Sequence, residues 1–399
     1  MKTLFKVSLF LIIIILKQGC KEIHSDLESY EAIIQKSAEK YSDMNKIIYP
    51  KINNKNFIPR TINKTGDVRL VNIYDWTSGF YAGSLWYLNF LTEDKKWEKL
   101  ALEYTKKLDS IQYWEGNHDV GFIMECSYGN ALKKTTSKAF ESVIVQTAKS
   151  LATRFHPKAG IIQSWNSNEK WNCPVIIDNM MNLELLFHAT KISSDSTYYN
   201  IAVSHANKTI ENHFRSDNSS YHVLNYDVNT GEILNRNTHQ GLTDDSAWAR
   251  GQAWGLYGFT VCYRETKDSK YLNQAIKIAD YIKTHPNLPE DNIPYWDYNA
   301  PASNETPRDA SAAAITASAL YQLSTFTKSK EDGKKYKKFS DEIMQSLCSP
   351  TYFADKGTNA DFLLKHSVGS IPHGVEIDVP LNYADYYFLE ALYRLKNFK

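Results

Sequence analysis

Hydrophobic residues recur every three to four positions along most of the chain, the spacing of one face of an α-helix. The first such window, residues 27–41, places on one face Leu27, Tyr30, Ile33, Ile34, Ala38 and Tyr41. The same spacing predicts eleven further helices, over residues 74–93, 97–110, 119–133, 138–154, 177–192, 196–214, 244–266, 270–285, 308–327, 332–347 and 379–396. Short polar side chains cap helix N-termini, so we expect Asp309 and Ser311 to open one helix and Asp245 and Ser246 to open another.

Only one stretch is clearly predicted to form β-strands. Tyr221 to Tyr226 and Glu232 to Asn235 flank the turn Asn229-Thr230-Gly231. A short turn of this type between two apolar runs is typical of a β-hairpin.

Twelve helices can pair into six helical hairpins. We therefore predict an all-α fold, an (α/α)6 barrel of six helical hairpins with a small β-hairpin insertion. In such a barrel the loops and the N-termini of the inner helices line a funnel. An open superhelical array of the same hairpins is the alternative. No Pro/Ser-rich linker or block of charge interrupts residues 27–399, so we expect one domain there.

The first residues have the pattern of an export signal. Lys2 and Lys6 precede the apolar run from Val7 to Leu16, and Gly19 and Cys20 follow it. The run is shorter than the roughly 20 residues that span a bilayer, and its flanks are those of a signal peptide. We predict a lipoprotein signal peptide at residues 1–19, lipid on Cys20 and an anchor linker at residues 20–26. The product would be an exported bacterial lipoprotein, anchored to the cell membrane and facing the periplasm. Ordinary signal cleavage is the alternative, since a lysine and a glutamine occupy positions 17 and 18, where small or apolar residues are usual.

Composition adds three observations. Loss of residues 1–19 would change the formal net charge from +1 to −2, so charge does not indicate nucleic-acid binding. Aromatic residues make up 13% of the chain, which suits either a large core or rings that stack on sugars. The cysteines after Cys20 form no C-x-x-C pair, so no zinc site is predicted. We expect buried free thiols, although export would permit disulfides, at Cys126, Cys173, Cys262 and Cys348.

Two aspartates are candidates for acid–base chemistry. Asp178 lies in a strongly apolar stretch, so loss of solvation should raise its pKa and allow it to act as a general acid near neutral pH. The alternative is an N-cap aspartate, whose pKa would fall instead. Asp119 has the same alternative. If the two carboxylates share a pocket, each resists ionisation of the other.

The segment around Arg250 is the other candidate. Arg250 lies between Trp248 and Trp254, so its guanidinium either packs on an indole or binds an anion. His222 and His239 are either sugar contacts or structural hydrogen-bond partners. The chain has no G-x-S-x-G nucleophile motif and no glycine-rich phosphate loop.

Five motifs in order resemble glycoside hydrolase family 88, the unsaturated glucuronyl hydrolases. The similarity runs from about Tyr74 to the C-terminus. The motifs are Asp75-Trp76-Thr77-Ser78-Gly79-Phe80, His118-Asp119-Val120-Gly121-Phe122, Ile177-Asp178-Asn179-Met180-Met181-Asn182, Trp248-Ala249-Arg250-Gly251-Gln252-Ala253-Trp254, and Asp378-Val379-Pro380-Leu381 with Tyr383-Ala384-Asp385-Tyr386-Tyr387.

The resemblance implies an (α/α)6-barrel catalytic domain that uses no cofactor and no metal. Such an enzyme hydrates the 4,5 double bond of a terminal unsaturated uronic acid on lyase-generated oligosaccharides, and releases it as a 5-keto-4-deoxyuronate. Asp178 would be the general acid and base, and Asp119 would bind substrate hydroxyls and support the raised pKa of Asp178. Arg250 or Gln240 would face the substrate carboxylate, and Ser367 and Ser370 would either meet a sulfated neighbouring sugar or only cap their loop. The full set of implied substrate contacts is Trp76, His118, Trp165, His222, Gln240, Trp248, Arg250, Trp254, Ser367 and Ser370.

The implied partner is an oligosaccharide, such as an ulvan or glycosaminoglycan fragment, with membrane contact through the lipid alone. The first alternative is a related barrel enzyme, an unsaturated rhamnogalacturonyl hydrolase or a sugar epimerase. An epimerase would be expected to use histidine pairs rather than two aspartates. The second is a non-catalytic glycan-binding lipoprotein, which would bind oligosaccharides without turnover.

Overall fold

The computed structural model describes residues 30–398, so the predicted signal peptide, Cys20 and the anchor linker lie outside the described residues. The described chain is mostly helical. Its α-helices are α1 (residues 30–48), α2 (Ser78–Thr92), α3 (Lys95–Lys107), α4 (Val120–Met124), α5 (Asn130–Leu132), α6 (Lys138–Ala152), α7 (Leu183–Ser193), α8 (Ser196–Asn212), α9 (Ala249–Thr266), α10 (Ser269–Thr284), α11 (Ala310–Ser324), α12 (Lys330–Leu347) and α13 (Asn382–Asn397). Each of the twelve predicted windows overlaps one of these helices, and the window over 119–133 contains both α4 and α5.

The helices are of two kinds, and their sequences explain the difference. In α11, built from small and apolar residues, all but the last residue are buried. In α12 the buried residues follow one stripe, from Tyr336 to Leu347, and mostly charged residues of both signs occupy the rest. A helix that is apolar all round belongs in an interior, whereas a one-sided helix covers a surface. Accordingly α2, α9, α11 and α13 are buried almost throughout, and α3, α6, α8, α10 and α12 bury one face.

The interior helices pack side by side in the order α2, α4, α7, α9, α11 and α13, and α13 packs against α2. Hydrogen bonds to the buried carboxylate of Glu390 in α13 join several of them. It accepts bonds from Tyr87 of α2 at 2.6 Å, Tyr257 of α9 at 3.0 Å and Ser318 of α11 at 2.5 Å. The two ends of the series are therefore neighbours, which an open superhelical array does not provide.

The predicted hairpin is present. β6 (Val223–Tyr226) pairs antiparallel with β7 (Ile233–Asn237), and β5 (Pro174–Ile176) adds a third strand. The expectation of a single stretch of strands was wrong. Three further hairpins join β1 (Ile58–Ile62) to β2 (Val68–Val71), β3 (Phe155–His156) to β4 (Ile161–Ile162), and β8 (Ser367–Ser370) to β9 (Val375–Val379). β3 and β4 have two residues each, too few to set up a readable alternation of apolar and polar positions, whereas β9 does alternate, as Val-Glu-Ile-Asp-Val, and was missed.

One of the two predicted helix starts is correct. Asp309 caps α11, with its carboxylate accepting a hydrogen bond from the backbone N–H of Ser311 at 3.0 Å. Asp245 and Ser246 do not open a helix, because α9 begins at Ala249. The hydroxyl of Ser246 donates instead to Asp297 at 2.7 Å, in the loop that precedes α9.

The cysteines agree with the expectation of free thiols. Cys126, Cys173 and Cys262 are buried, Cys348 is partly buried, and all four are unpaired. Among residues 30–398, no helix combines the length and the apolar character needed to cross a bilayer.

Candidate active site

A cavity of about 240 Å³ opens where several helices begin. Trp76 precedes α2, Asp119 precedes α4, Asp178 precedes α7, and Arg250 lies in the first turn of α9. The residues that line it are Trp76, His118, Asp119, Phe122, Trp165, Ile176, Asp178, His239, Gln240, Arg250, Ser370 and His373. A larger depression of about 800 Å³ lies between α1 and α3, but its lining contains lysines and one glutamate and none of the predicted site residues. We therefore place the site in the smaller cavity.

Asp178 is the most unusual group in the cavity. It lies in the 3-10 turn Ile177–Asn182, and its Oδ2 is buried without a hydrogen-bond partner. The N-cap alternative is wrong, since no helix-opening bond to its side chain forms in this turn. Burial raises the pKa of Asp178 to about 7, although the positive charge of Arg250 acts in the opposite direction.

Asp119 stands at the N-cap position of α4, but its side chain makes no capping bond. Burial, and then the charge of Asp178, raise the pKa of Asp119 to about 8. The charge of Asp178 thus acts on Asp119, and the pair retains a proton near neutral pH, whereas support of the raised pKa of Asp178 by Asp119 stays a prediction. Nε2 of His118 lies 3.3 Å from Oδ1 of Asp119.

The tautomer of His118 follows from its other contact. Oδ1 of Asn182 accepts the backbone N–H of Phe122 at 2.8 Å, which leaves the amide nitrogen of Asn182 3.3 Å from Nδ1 of His118. Nδ1 is then the acceptor, and the ring proton is on Nε2, facing Asp119. Burial lowers the pKa of His118 to about 3, so the ring is neutral.

His222 faces Asp178 in the way that His118 faces Asp119. Its Nδ1 accepts the backbone N–H groups of His239 and Gln240, at 3.2 and 3.0 Å. Its proton is therefore on Nε2, which has no hydrogen-bond partner and lies 3.7 Å from Oδ2 of Asp178. Burial holds the pKa of His222 well below its usual value, so this ring is also a neutral donor.

Arg250 forms hydrogen bonds to the protein through two of its three side-chain nitrogens. Nη1 bonds to Asp309, at 3.2 Å, and to the carbonyl of Val368, and Nη2 donates to the carbonyl of Gly369 at 2.8 Å. The guanidinium also packs on the ring of Trp248, 4.4 Å from its centre, and Nε has no partner. The guanidinium thus packs on an indole and holds strand β8. Its contact with a substrate carboxylate stays a prediction.

The aromatic residues divide into two groups. Trp76 and Trp165 line the cavity, and Trp76 packs on Tyr383 at 4.9 Å between ring centres. Trp248 and Trp254 are buried behind it, with Trp248 stacked on His222 at 4.5 Å. The first pair can face a sugar directly, and the second supports polar groups that do.

The two predicted serines also differ. Ser370 lines the cavity, and its hydroxyl lies 2.7 Å from Nδ1 of His373. Ser367 is fully buried outside the lining, and its hydroxyl has no partner. Gln240 is at the wall, where its amide donates to the carbonyl of Gly369 at 3.1 Å.

Sequence reasoning missed His373 and undervalued His239, whose rings lie 4.4 Å apart in the cavity wall. Pro372 and Gly374 flank His373 in the turn between β8 and β9. That turn signal could have identified an exposed histidine at a hairpin tip. Phe122 was within a quoted motif but was not assigned to the wall.

No family model matches the sequence, but individual proteins do. The unsaturated glucuronyl hydrolase of Formosa agariphila is 46% identical over 345 residues, which cover 86% of this chain and 85% of that protein. The unsaturated chondroitin disaccharide hydrolase of Streptococcus agalactiae is 32% identical over 343 residues, covering 84% of each.

Solved structures agree with these relatives. The crystal structure of an unsaturated glucuronyl hydrolase specific for heparin matches with a TM-score of 0.87 at 46% identity, covering 92% of this chain and 96% of that one. The unsaturated glucuronyl hydrolase of Bacillus sp. GL1, responsible for the degradation of glycosaminoglycan, matches with a TM-score of 0.83 at 28% identity, covering 91% and 97%. On this identity, coverage and fold, the chain belongs to the unsaturated glucuronyl hydrolase family, the glycoside hydrolases of family 88.

Proposed function

We propose that Asp178 is the general acid and base with which this enzyme hydrates the double bond of a terminal unsaturated uronic acid. One observation carries the assignment: Asp178 holds a buried carboxyl oxygen without a partner, at the cavity wall, with its pKa raised to about 7. Protonating a carbon atom requires an acid that still holds its proton when substrate binds.

The proposed reaction has two proton transfers. Asp178 donates its proton to C4, and the electron pair of the double bond forms the new C4–H bond. Positive charge develops at C5 and is shared with the ring oxygen. The Asp178 carboxylate then takes a proton from water as the water oxygen bonds to C5. The resulting hemiketal opens, and the glycosidic bond is lost in that rearrangement, releasing the 5-keto-4-deoxyuronate.

Two neutral histidines support this chemistry. His222 directs Nε2–H toward Asp178, where it stabilises the carboxylate that remains after proton donation. His118 does the same for Asp119, which we assign to the hydroxyl groups of the sugar ring. Trp76 and Trp165 are the proposed stacking surfaces.

The proposed substrate is an unsaturated disaccharide released from a glycosaminoglycan, with heparin-type fragments first. The heparin-specific relative combines the 46% identity with the TM-score of 0.87, whereas the chondroitin disaccharide hydrolases are 30–32% identical. In this proposal Ser370 and the neighbouring His239 and His373 meet the second sugar and any sulfate on it.

The test is the ultraviolet absorbance of the conjugated double bond, which hydration removes. Purified protein is mixed separately with lyase-generated fragments of heparin, chondroitin, ulvan and rhamnogalacturonan. We expect absorbance to fall fastest with the heparin disaccharide. A faster fall with the rhamnogalacturonan fragment would contradict the proposed substrate and favour the rhamnogalacturonyl alternative.

We also propose two features of the whole protein. The ordered helix contacts and the contact of α13 with α2 support an (α/α)6 barrel of six helical hairpins in which the cavity is the funnel. The Gly19-Cys20 ending of the apolar run supports a lipid anchor on Cys20 and a location at the periplasmic face of the cell membrane. In a detergent phase-partition experiment, the unmodified protein should enter the detergent phase and a Cys20→Ala variant should enter the aqueous phase.

A further inference from the structure

Trp76 forms one wall of the cavity, and the β8–β9 hairpin with Ser370 forms another. Arg60 of β1 forms hydrogen bonds to a residue beside each wall. Its Nε and Nη2 bond the two carboxylate oxygens of Glu376 in β9, at 2.6 and 2.7 Å. Its Nη1 bonds both oxygens of Asp75, at 2.8 and 2.7 Å. The Arg60 side chain is 15% exposed, so these charge-assisted bonds are shielded from water.

On one side, the bridge reaches the hairpin that carries Ser370. A Cβ atom on Gly369 would lie 2.5 Å from Oε2 of Glu376, so the glycine lets the carboxylate pass across β8. The carbonyl of Gly369 accepts bonds from Gln240 and Arg250 in the cavity wall. Glu376 has a φ of 54°, which L side chains rarely adopt. The two hydrogen bonds from Arg60 to its carboxylate offset the conformational energy of this backbone angle.

On the other side, the bridge reaches Trp76. Asp75 immediately precedes this tryptophan, and Oδ1 of Asp75 also accepts the backbone N–H of Thr77 at 3.0 Å, at the start of α2. The guanidinium carbon of Arg60 lies 6.0 Å from the centre of the Trp76 ring. One arginine therefore fixes the tryptophan wall relative to the Gly369 carbonyl.

Arg60 also neutralises charge near the catalytic pair. The groups that act on Asp119 are Asp178, Asp75, Arg154, Asn182 and His118. Among them the negative charge of Asp75 raises the pKa of Asp119. Because Arg60 is paired with Asp75, it limits this effect.

We propose that Arg60 is a positioning residue that fixes the distance between Trp76 and the Gly369–Ser370 wall and screens the charge of Asp75 from Asp119. Arg60 does not line the cavity, so it acts through Asp75 and Glu376. This inference rests on the function proposed above.

The test compares variants that separate geometry from charge. Arg60→Gln removes both, and we expect KM to rise about tenfold with kcat little changed, as for a distorted binding wall. We also expect the alkaline limb of the pH profile of KM, which follows ionisation of the substrate-binding Asp119, to move upward by roughly half a unit, because Asp75 is no longer neutralised. Arg60→Lys keeps the positive charge but cannot form the bidentate hydrogen bonds. The alkaline limb should therefore return to its pH in the unmodified protein, while KM stays raised.

Arg69→Ala is the matched control. Nη1 of Arg69 lies 3.3 Å from Oε1 of Glu376, the oxygen that Nε of Arg60 also bonds. The Arg69 side chain is half exposed and does not touch Asp75, so neither KM nor the alkaline limb of its pH profile should change. All rates are measured well below each variant's melting temperature.

A folded Arg60→Gln protein with unchanged KM and an unmoved pH limb would overturn the proposal. If that variant does not fold, Glu376→Gln keeps the shape and weakens the bridge. It should raise KM without an alkaline shift, and an unchanged KM would again overturn the proposal. Failure of the proposed function is distinguishable, because the unmodified protein and the Arg69→Ala control would then also leave the absorbance flat.

Discussion

At the scale of single residues, the site depends on Asp178, a buried carboxyl with one oxygen that makes no hydrogen bond within the protein. Asp385 provides the contrast. It is also buried with a pKa raised to about 7, but its oxygens accept the backbone N–H groups of Leu363 and Leu364 and the hydroxyl of Tyr41. Asp178 has an oxygen with no partner, which leaves that group available to a substrate.

Part of this residue-scale chemistry could be predicted from the sequence. The apolar neighbours of Asp178 are adjacent in the chain, so local sequence indicated a raised pKa, although it left the N-cap alternative open. The partners of Arg250 did not, because Val368 is 118 positions away and belongs to an unpredicted hairpin. Contacts of that range depend on the fold, which local patterns do not describe.

The pH dependence of kcat/KM follows from the raised pKa of Asp178. The active form is protonated, so activity should be lost as pH rises through about 7, approaching a tenfold decrease per unit above it. Initial rates of absorbance loss between pH 5 and 9, at substrate concentrations far below KM, measure this. A rate that increases steadily through pH 8 would show that the ionised carboxylate is the active form.

At the scale of secondary-structure elements, helix periodicity predicted where helices lie, but not how closely they approach. Gly79 in α2 is an example. A Cβ atom there would lie 2.3 Å from the carbonyl oxygen of Ile123 in α4, so α2 and α4 touch backbone to backbone beneath the cavity. The sequence motif contained Gly79, but nothing local showed which element it contacts. The hairpin β8–β9, which carries Ser370 and His373, was likewise unpredicted.

Two glycine substitutions test this close approach. Gly79→Ala should destabilise the protein by about 1–3 kcal/mol, because backbone atoms cannot move aside easily. Gly255→Ala is the control, since its Cβ would have ordinary contacts, 3.5 Å from Ile278 and 3.6 Å from Ile177. It should change stability by less than about 1 kcal/mol. Equal melting temperatures for the two variants, measured by calorimetry, would argue against a tight contact between α2 and α4.

At the scale of the whole molecule, stability should be greatest near pH 6.5. Burial raises the pKa of Asp119, Asp178 and Asp385 above the unfolded value of about 3.9. Their contribution to the free energy of unfolding is therefore complete below about pH 3.9 and is lost as pH rises through about 7–8. Burial lowers the pKa of six histidines below 6.5, so their contribution is complete above 6.5 and is lost as pH falls. These six are His118, His205, His213, His222, His239 and His285.

Below pH 6.5 the six histidines outnumber the groups that act in the opposite direction, which are the three aspartates. Above pH 6.5 the aspartates and His188, whose pKa is raised by the charge of Glu125, still change, and all of them lose stabilisation as pH rises. We therefore expect the melting temperature to decrease on both sides of pH 6.5, and Asp178→Asn to reduce the decrease on the alkaline side. A melting temperature that rises from pH 6.5 to 8 would contradict this assignment of buried neutral groups.

A comparison of two isosteric variants tests whether Asp178 is the acid. Asp178→Asn and Asp385→Asn each replace a buried aspartate of raised pKa by an amide, one inside the cavity and one outside it. We measure absorbance loss with the preferred disaccharide, at a temperature where both variants are folded. We predict that Asp178→Asn abolishes turnover while keeping its fold, and that Asp385→Asn loses stability but retains a kcat near that of the unmodified protein. Turnover by Asp178→Asn at close to the normal rate would show that another group is the acid.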